Sequence, residues 1–260
     1  MNAFPVLFVL GLVVFAAIAA YSFWSNDKRQ KELAAYAASN RWSFAAEDDS
    51  LTTRWHGTPF GEGDRRRARN VLSGTSRGRT FVGFEYQYDT ESSTGTIGGG
   101  STGTILGTNL GTSNRQRTTH HFFVVTVRLP TFLPSLEVTP DNFLTRAASA
   151  VGIGSGIELE SEDFNRHFRV TARNPKFASD VLTPRTMQAM LSSAQGLCWR
   201  IEGTDVVSWG NGHLEPVALL SRLSNLNGVV DGIPDFVWHD NGYDPHPGAQ
   251  PAPPVEGSAS

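Results

Sequence analysis

Cys198 is the only cysteine in 260 residues, so no intramolecular disulfide can form. That excludes a small disulfide-stapled scaffold and fits a reducing compartment. Lysine is nearly as scarce: Lys28, Lys31 and Lys176 are the whole set, and Arg supplies the rest of the positive charge. Arg suits phosphate and carboxylate recognition. A GC-rich bacterial coding bias produces the same skew and is the simpler explanation. A formal net charge of −3 gives no electrostatic reason to expect a nucleic-acid partner. There is no Gly-x-Ser-x-Gly elbow, no His-Glu-x-x-His helix and no paired-Cys motif, so the common hydrolase and zinc signatures are missing.

Charge is also absent from Phe4 to Trp24. As a helix at about 1.5 Å per residue this stretch reaches roughly 31 Å, the thickness of a bilayer's hydrocarbon core. Tyr21, Phe23 and Trp24 gather at its end, where aromatic rings favour the membrane–water interface. Lys28, Arg29 and Lys31 follow, and the positive-inside rule places such a flank in the cytoplasm. The expectation is a membrane anchor over residues 1–25, contacting lipid through 4–24, with the domain on the cytoplasmic side of the cell membrane. Ala17-Ile18-Ala19 offers a signal-peptide alternative, which would make this an exported protein; the lack of a positive n-region and the length of the run weigh against cleavage.

Residues 26–40 read as a juxtamembrane helix, with Leu33, Tyr36 and Ala37 at helical spacing and Asn40 as its stop. A soluble α+β domain is expected over 41–240, in which 39% hydrophobic content can build a core. Strand patterns fall at Arg41–Ala45 and Leu51–His56. Arg65-Arg66-Arg67-Ala68-Arg69 reads as a solvated loop leading into a strand, since a charge run alone specifies no partner. Asn70–Ser73 and Thr80–Tyr88 suggest a hairpin turning at Ser76–Arg79. Val82, Phe84, Tyr86 and Tyr88 share one face of its second strand, with Phe81, Gly83, Glu85 and Gln87 on the other. His120–Leu129 is apolar on both faces and belongs in the centre of a sheet.

Between these strands, 92–117 is rich in Gly, Thr and Ser. It lacks the Lys and following helix of a phosphate loop and reads as a flexible insertion. Leu136–Val138 suggests a strand, and Thr139-Pro140 a helix start for Phe143, Leu144 and Ala147. Asn174-Pro175 and Thr183-Pro184 repeat that cap chemistry. Leu197–Glu202 and Asp205–Trp209 suggest a hairpin around Gly203-Thr204. Leu214–Leu226 is an amphipathic helix entered at Pro216. The Pro-rich run 241–260 reads as a disordered tail. The expected fold class is therefore α+β: a single N-terminal transmembrane helix followed by a mainly antiparallel sheet with packed helices.

Phe164, Phe168-x-Val170, Leu182-Thr183-Pro184-x-x-Met187 and the Trp199–Trp209 segment, within residues 162–209, resemble a bacterial family of membrane-anchored domains with no assigned function. The Gly74–Phe84 region resembles it more weakly. The resemblance implies an anchored α+β domain and transfers no catalytic residue.

Candidate chemistry is sparse. Cys198 sits mid-strand, where a lone cysteine is usually a small buried hydrophobe. His120 and His121 are adjacent in a strand and point to opposite faces, so they cannot share a metal in regular geometry. His167 has no nucleophile pattern near it. Asp235, His239, Asp240, Asp244 and His246 are ligand types on a segment entering the Pro-rich tail, where rigid coordination is hard to hold. No catalytic, cofactor-binding or metal residue is assigned from sequence, and no cofactor is implied. The expected function is a non-enzymatic interaction or scaffolding domain with a protein partner at the membrane. The alternative from another class is a membrane-associated hydrolase or small-ligand enzyme whose site assembles from distant residues.

Overall fold

The computed structural model describes residues 27–93, 115–141, 156–193 and 196–247. These divide into two compact units: one runs to Val127 and adds Val207–Ser224, and the other takes Arg128–Val206 with the chain from Asn225 onward.

In the first unit, residues 27–39 form helix α1, β1 is Ser43–Glu47, β2 Asp64–Ser76 and β3 Arg79–Ser93. The hairpin between β2 and β3 closes over Arg77 and Gly78, both at positive φ (48° and 77°), as a two-residue turn between twisted strands requires. The register of β2 against β3 shifts between Asp64 and Arg67 and again between Arg69 and Leu72. Arg65 and Asn70, inside those shifts, have φ of 52°, the mark of bulges that re-aim side chains. β3 then pairs in unbroken register with the first half of β4, Arg115–Pro140, from Ser93↔Arg115 to Phe81↔Val127.

The core of this unit is aromatic. Trp55 stacks on Phe84 at 5.8 Å and meets Phe60 at 5.4 Å, while Phe60 meets Tyr86 at 5.0 Å. Leu33 and Ala37 are the buried positions of α1. Tyr36 meets Trp42 edge-on, and Trp42 meets Phe81 the same way at 4.8 Å. Gly74 leaves the space that the Trp42 indole fills: a Cβ there would lie 2.8 Å from the ring's Cγ.

In the second unit, helix α2 (Glu162–His167) leads directly into β5 (Phe168–Ala172). β5 pairs antiparallel with the second half of β4, from Leu136↔Ala172 to Pro140↔Phe168. α3 (Pro175–Val181) and α4 (Pro184–Ser193) start where the Pro signals place them. Asn174 Oδ1 accepts the Phe177 N–H at 3.3 Å, and Thr183 Oγ1 accepts the Thr186 N–H at 3.3 Å. β6 (Cys198–Asn211) pairs with β4. The chain continues through α5 (Pro216–Asp231), which passes from the first unit into the second, to α6 (Asp235–Asp240). Phe164, Phe168, Leu136, Leu182 and Trp199 are buried here. The block from 162 to 191 is thus strand, cap and core.

The expected fold class is corrected. The strands run β1-β2-β3-β4-β5 with β6 also on β4, in mostly antiparallel ladders with few helices. Among the described residues, no helix is long and apolar enough to cross a membrane. α5, at 16 residues with Arg222 inside it, falls short of the roughly 20 apolar residues a crossing needs. The stretch 4–24, on which the transmembrane expectation rested, lies outside the described residues.

Smaller corrections have local causes. Leu51–His56 is not a strand; Asp49–Thr53 is a 3-10 turn, capped where Asp48 Oδ1 accepts the Ser50 N–H at 3.1 Å. Arg65–Arg69 lies within β2 rather than in a loop before it. Leu136–Val138 and Thr139-Pro140 belong to β4, which continues past Pro130 and Pro134. Phe143, Leu144 and Ala147 lie outside the described residues, as does most of 92–117 and the chain from 248 onward. Gly203-Thr204 does not turn the chain back, because β6 is one strand of 14 residues. Gly203 takes φ 66° in mid-strand, with the exposed Phe132 ring 3.5 Å from where its Cβ would be.

Gly74→Val forces the Trp42 ring off β2. It is expected to lower the unfolding free energy by about 1–3 kcal/mol, typical of overpacking. Urea denaturation followed by tryptophan fluorescence measures it; an unchanged midpoint would mean the Trp42 contact is slack.

Candidate functional site

The densest polar convergence in the first unit is on Glu85. β3 places it opposite Arg69 of β2 and Phe123 of β4, in the middle of the sheet. Its side chain is only 15% exposed. Oε1 accepts from Arg29 Nε at 3.0 Å and from the Leu214 backbone N–H at 3.1 Å. Oε2 accepts from Asn70 Nδ2 at 3.0 Å and lies 3.3 Å from His213 Nδ1. The β2 bulge brings Asn70 to this carboxylate, and α1 brings Arg29. Arg29 also donates to the Leu214 carbonyl and to Glu215 Oε1, each at 3.0 Å. One guanidinium therefore ties α1 both to the sheet and to the segment entering α5.

Hydrogen bonds to a charged group are worth about 1.5–3 kcal/mol each, and a buried donor stripped of its acceptor costs a similar amount. Glu85 offers two oxygens to four donors, one of them a full positive charge. It works as a clamp, and its lone pairs are already engaged.

His120 and His121 lie on opposite sides of β4. The His120 ring stacks on Tyr88 at 4.9 Å, and its Nε2 sits 2.9 Å from Thr90 Oγ1. His121 faces His213 at 5.3 Å, and its carbonyl accepts the Gly212 N–H at 2.9 Å. Burial, and secondarily the His213 ring, holds the His121 imidazole below its ordinary pKa of 6.5. Glu85 and Asp89 pull the other way and do not overcome this.

A second cluster closes the loop before β2. Tyr88 Oη donates to Glu62 Oε2 and Thr58 Oγ1 donates to Glu62 Oε1, both at 2.8 Å. Burial first, and then the bond to Glu62, push the Tyr88 phenol well above its ordinary pKa, so it stays a donor at any physiological pH. The basic run is partly neutralised within the sheet: Arg67 and Arg69 lie 3.5 and 3.9 Å from Glu47, and Arg66 Nε donates to the Gly63 carbonyl.

In the second unit the buried Arg200 pairs with Glu137 at 3.1 Å and Glu202 at 3.2 Å, a structural ion cluster between strands. Cys198 is buried in β6. His167 Nδ1 lies 2.8 Å from the Asp163 carbonyl within its own helix. The C-terminal ligand types fall into separate pairs, His246–Asp235 at 3.4 Å and His239–Asp244 at 4.0 Å. Asp240 belongs to neither pair. Among the described residues, no group of three His, Cys, Asp or Glu could hold a metal.

Residue patterns alone missed the Glu85 clamp. Its partners lie 56 and 129 positions away, and no local spacing joins Arg29 or Leu214 to β3. The one available signal was a carboxylate on a strand face shared with Phe81, Gly83 and Gln87.

Known protein families give no match to this chain, and neither do the curated proteins. Among solved structures, the crystal structure of the mycobacterial trehalose monomycolate transport factor A, TtfA, is similar at a TM-score of 0.48 and 13% identity. The match covers 79% of this chain and 96% of that one. A likeness that remote transfers neither site nor activity.

The lowered pKa of His121 makes a signed prediction. The unfolded chain takes up this proton more readily than the folded one, so stability falls as pH drops below about 6.5. Thermal midpoints between pH 7.5 and 5.5 should decline in the native chain and decline less in His121→Gln; parallel profiles would assign the slope to other groups.

Proposed function

We propose that this protein is a non-enzymatic interaction domain held at a membrane face by lipid contact through residues 4–24. The observation that carries the proposal is the Arg29–Glu85 clamp. It fixes α1, which follows the uncharged stretch almost at once, onto the sheet through ion pairs at 3.0 Å to Glu85 and Glu215. A lipid-held N-terminus would thereby hold the first unit close to the bilayer rather than at the end of a loose tether. Lipid contact needs only that the apolar stretch leaves water, which about 25 cal/mol per Å² of buried apolar area favours; it does not depend on a spanning helix.

Two things support the non-enzymatic part. The chemistry-bearing side chains described above are engaged in structural bonds, and Cys198 is buried in a strand. The basic flank of Lys28, Arg29 and Lys31 supports the cytoplasmic face, whose anionic headgroups attract basic residues close to the membrane.

The full chain should float with phosphatidylcholine–phosphatidylglycerol vesicles and stay bound in high salt. A variant lacking residues 4–24 should remain unbound with an unchanged circular dichroism spectrum. Proximity labelling from the C-terminus should return reproducible protein neighbours. A full chain that never floats, a deletion variant that floats as well, or labelling without reproducible neighbours would contradict the proposal.

A further inference from the structure

We infer that His121 and His213 form a two-histidine site for a divalent transition-metal ion of the zinc class, with solvent completing the coordination. The two residues come from distant parts of the first unit: His121 from β4, and His213 from the chain between β6 and α5. The Gly212 N–H donates to the His121 carbonyl at 2.9 Å, which pins the two backbones side by side. The rings then face each other with centroids 5.3 Å apart and planes tilted by 41°. With tetrahedral angles and each nitrogen about 2.1 Å from the ion, two imidazole centroids on one metal stand about 5 Å apart. The spacing suits a shared ion without any movement of the backbone.

Glu85 sets the chemistry of one ligand. Its Oε2 lies 3.3 Å from His213 Nδ1. A carboxylate only accepts, so in the neutral ring Nδ1 carries the proton and Nε2 keeps its lone pair. A carboxylate behind a histidine in this way fixes the tautomer and ring orientation of metal ligands. Glu85 is therefore a positioning residue for His213 and not itself a ligand. The His121 ring makes no hydrogen bond among the described residues. Both side chains are exposed, His213 at 52%, so an ion and its waters can reach them.

Imidazole suits zinc, copper and nickel, whereas magnesium and calcium take oxygen ligands. Two protein nitrogens are fewer than a three-residue centre supplies, and water holds the remaining positions. Such an ion fastens the approach to α5 onto β4, beside the carboxylate that already gathers α1 and β2. Other histidines are placed differently. His120 lies on the opposite side of β4 with Nε2 2.9 Å from Thr90 Oγ1, and His239 and His246 stand in separate His–Asp pairs.

The test titrates Zn(II) into the full chain by calorimetry. It compares the native protein with His121→Asn, His213→Asn, the double variant, and a control carrying His239→Asn and His246→Asn; circular dichroism checks that each is folded. Each single variant is expected to weaken binding by about tenfold or more, since loss of even an outer partner of a ligand costs that much. The double variant should bind no more weakly than either single one, because a lone imidazole is no chelate, and the control should bind like the native chain. X-ray absorption of the Zn(II)-loaded control should show two imidazole nitrogens at about 2.0–2.1 Å, a readout that does not depend on how well the site variants fold. No binding by the native chain, unchanged binding in both single variants, loss confined to the control, or fewer than two imidazoles in the spectrum would each overturn the inference. Losses that simply add in the double variant would mean separate single-histidine contacts, an adventitious ion only, and would overturn it as well.

Discussion

A single carboxylate carries the organisation of the first unit. Glu85, on β3, sits where β2, α1 and the approach to α5 meet, and each of those three contributes a donor to it. Little else in the sequence would hold α1 in one place. Its buried apolar contribution is Leu33 and Ala37, a small area for a helix of this length. Helix formation by so short a segment is marginal in water without tertiary support. Arg29 supplies that support at one end, and the Tyr36–Trp42–Phe81 ring series supplies it at the other. With both ends held, α1 becomes part of the sheet's surface.

The same constraint explains several features that look unrelated. The β2 bulge at Asn70 takes a left-handed backbone conformation, which Asn tolerates better than most residues, and delivers an amide to Glu85. Gly83, on the same face of β3, leaves room for Leu219, so α5 can lie close enough for Leu214 to reach the carboxylate. His213 brackets the other oxygen and faces His121, which links the clamp to the imidazole that burial holds below its ordinary pKa.

What could be read in the sequence follows the range of the interactions. Local chemistry was legible: Asn174 and Thr183 cap their helices as the Pro that follows each predicts, and His120 and His121 part to opposite faces of β4. The β2–β3 hairpin was visible from its turn residues. Patterns governed by distant partners were not legible. Gly203-Thr204 looks like a turn, yet β6, a partner of β4, continues through it as one strand. Pro130 and Pro134 look like strand ends, yet β4 continues beyond both. The expected transmembrane helix came from composition in a stretch outside the described residues, and among the described helices no counterpart exists. Glu85 itself was placed on the right strand face but looked unremarkable, because nothing near it in sequence announces Arg29 or Leu214.

A double-mutant cycle between Arg29 and Glu85 tests the clamp most directly. Unfolding free energies are needed for the native chain, Arg29→Ala, Glu85→Ala and the double variant. A cooperative clamp gives a coupling energy of about 1–2 kcal/mol, since the pair is partly screened by solvent. It should be accompanied by faster amide exchange along residues 31–39 in both single variants. A coupling near zero, with α1 still protected when either side chain is gone, would show that the helix is held by other contacts and that Glu85 does not organise this fold.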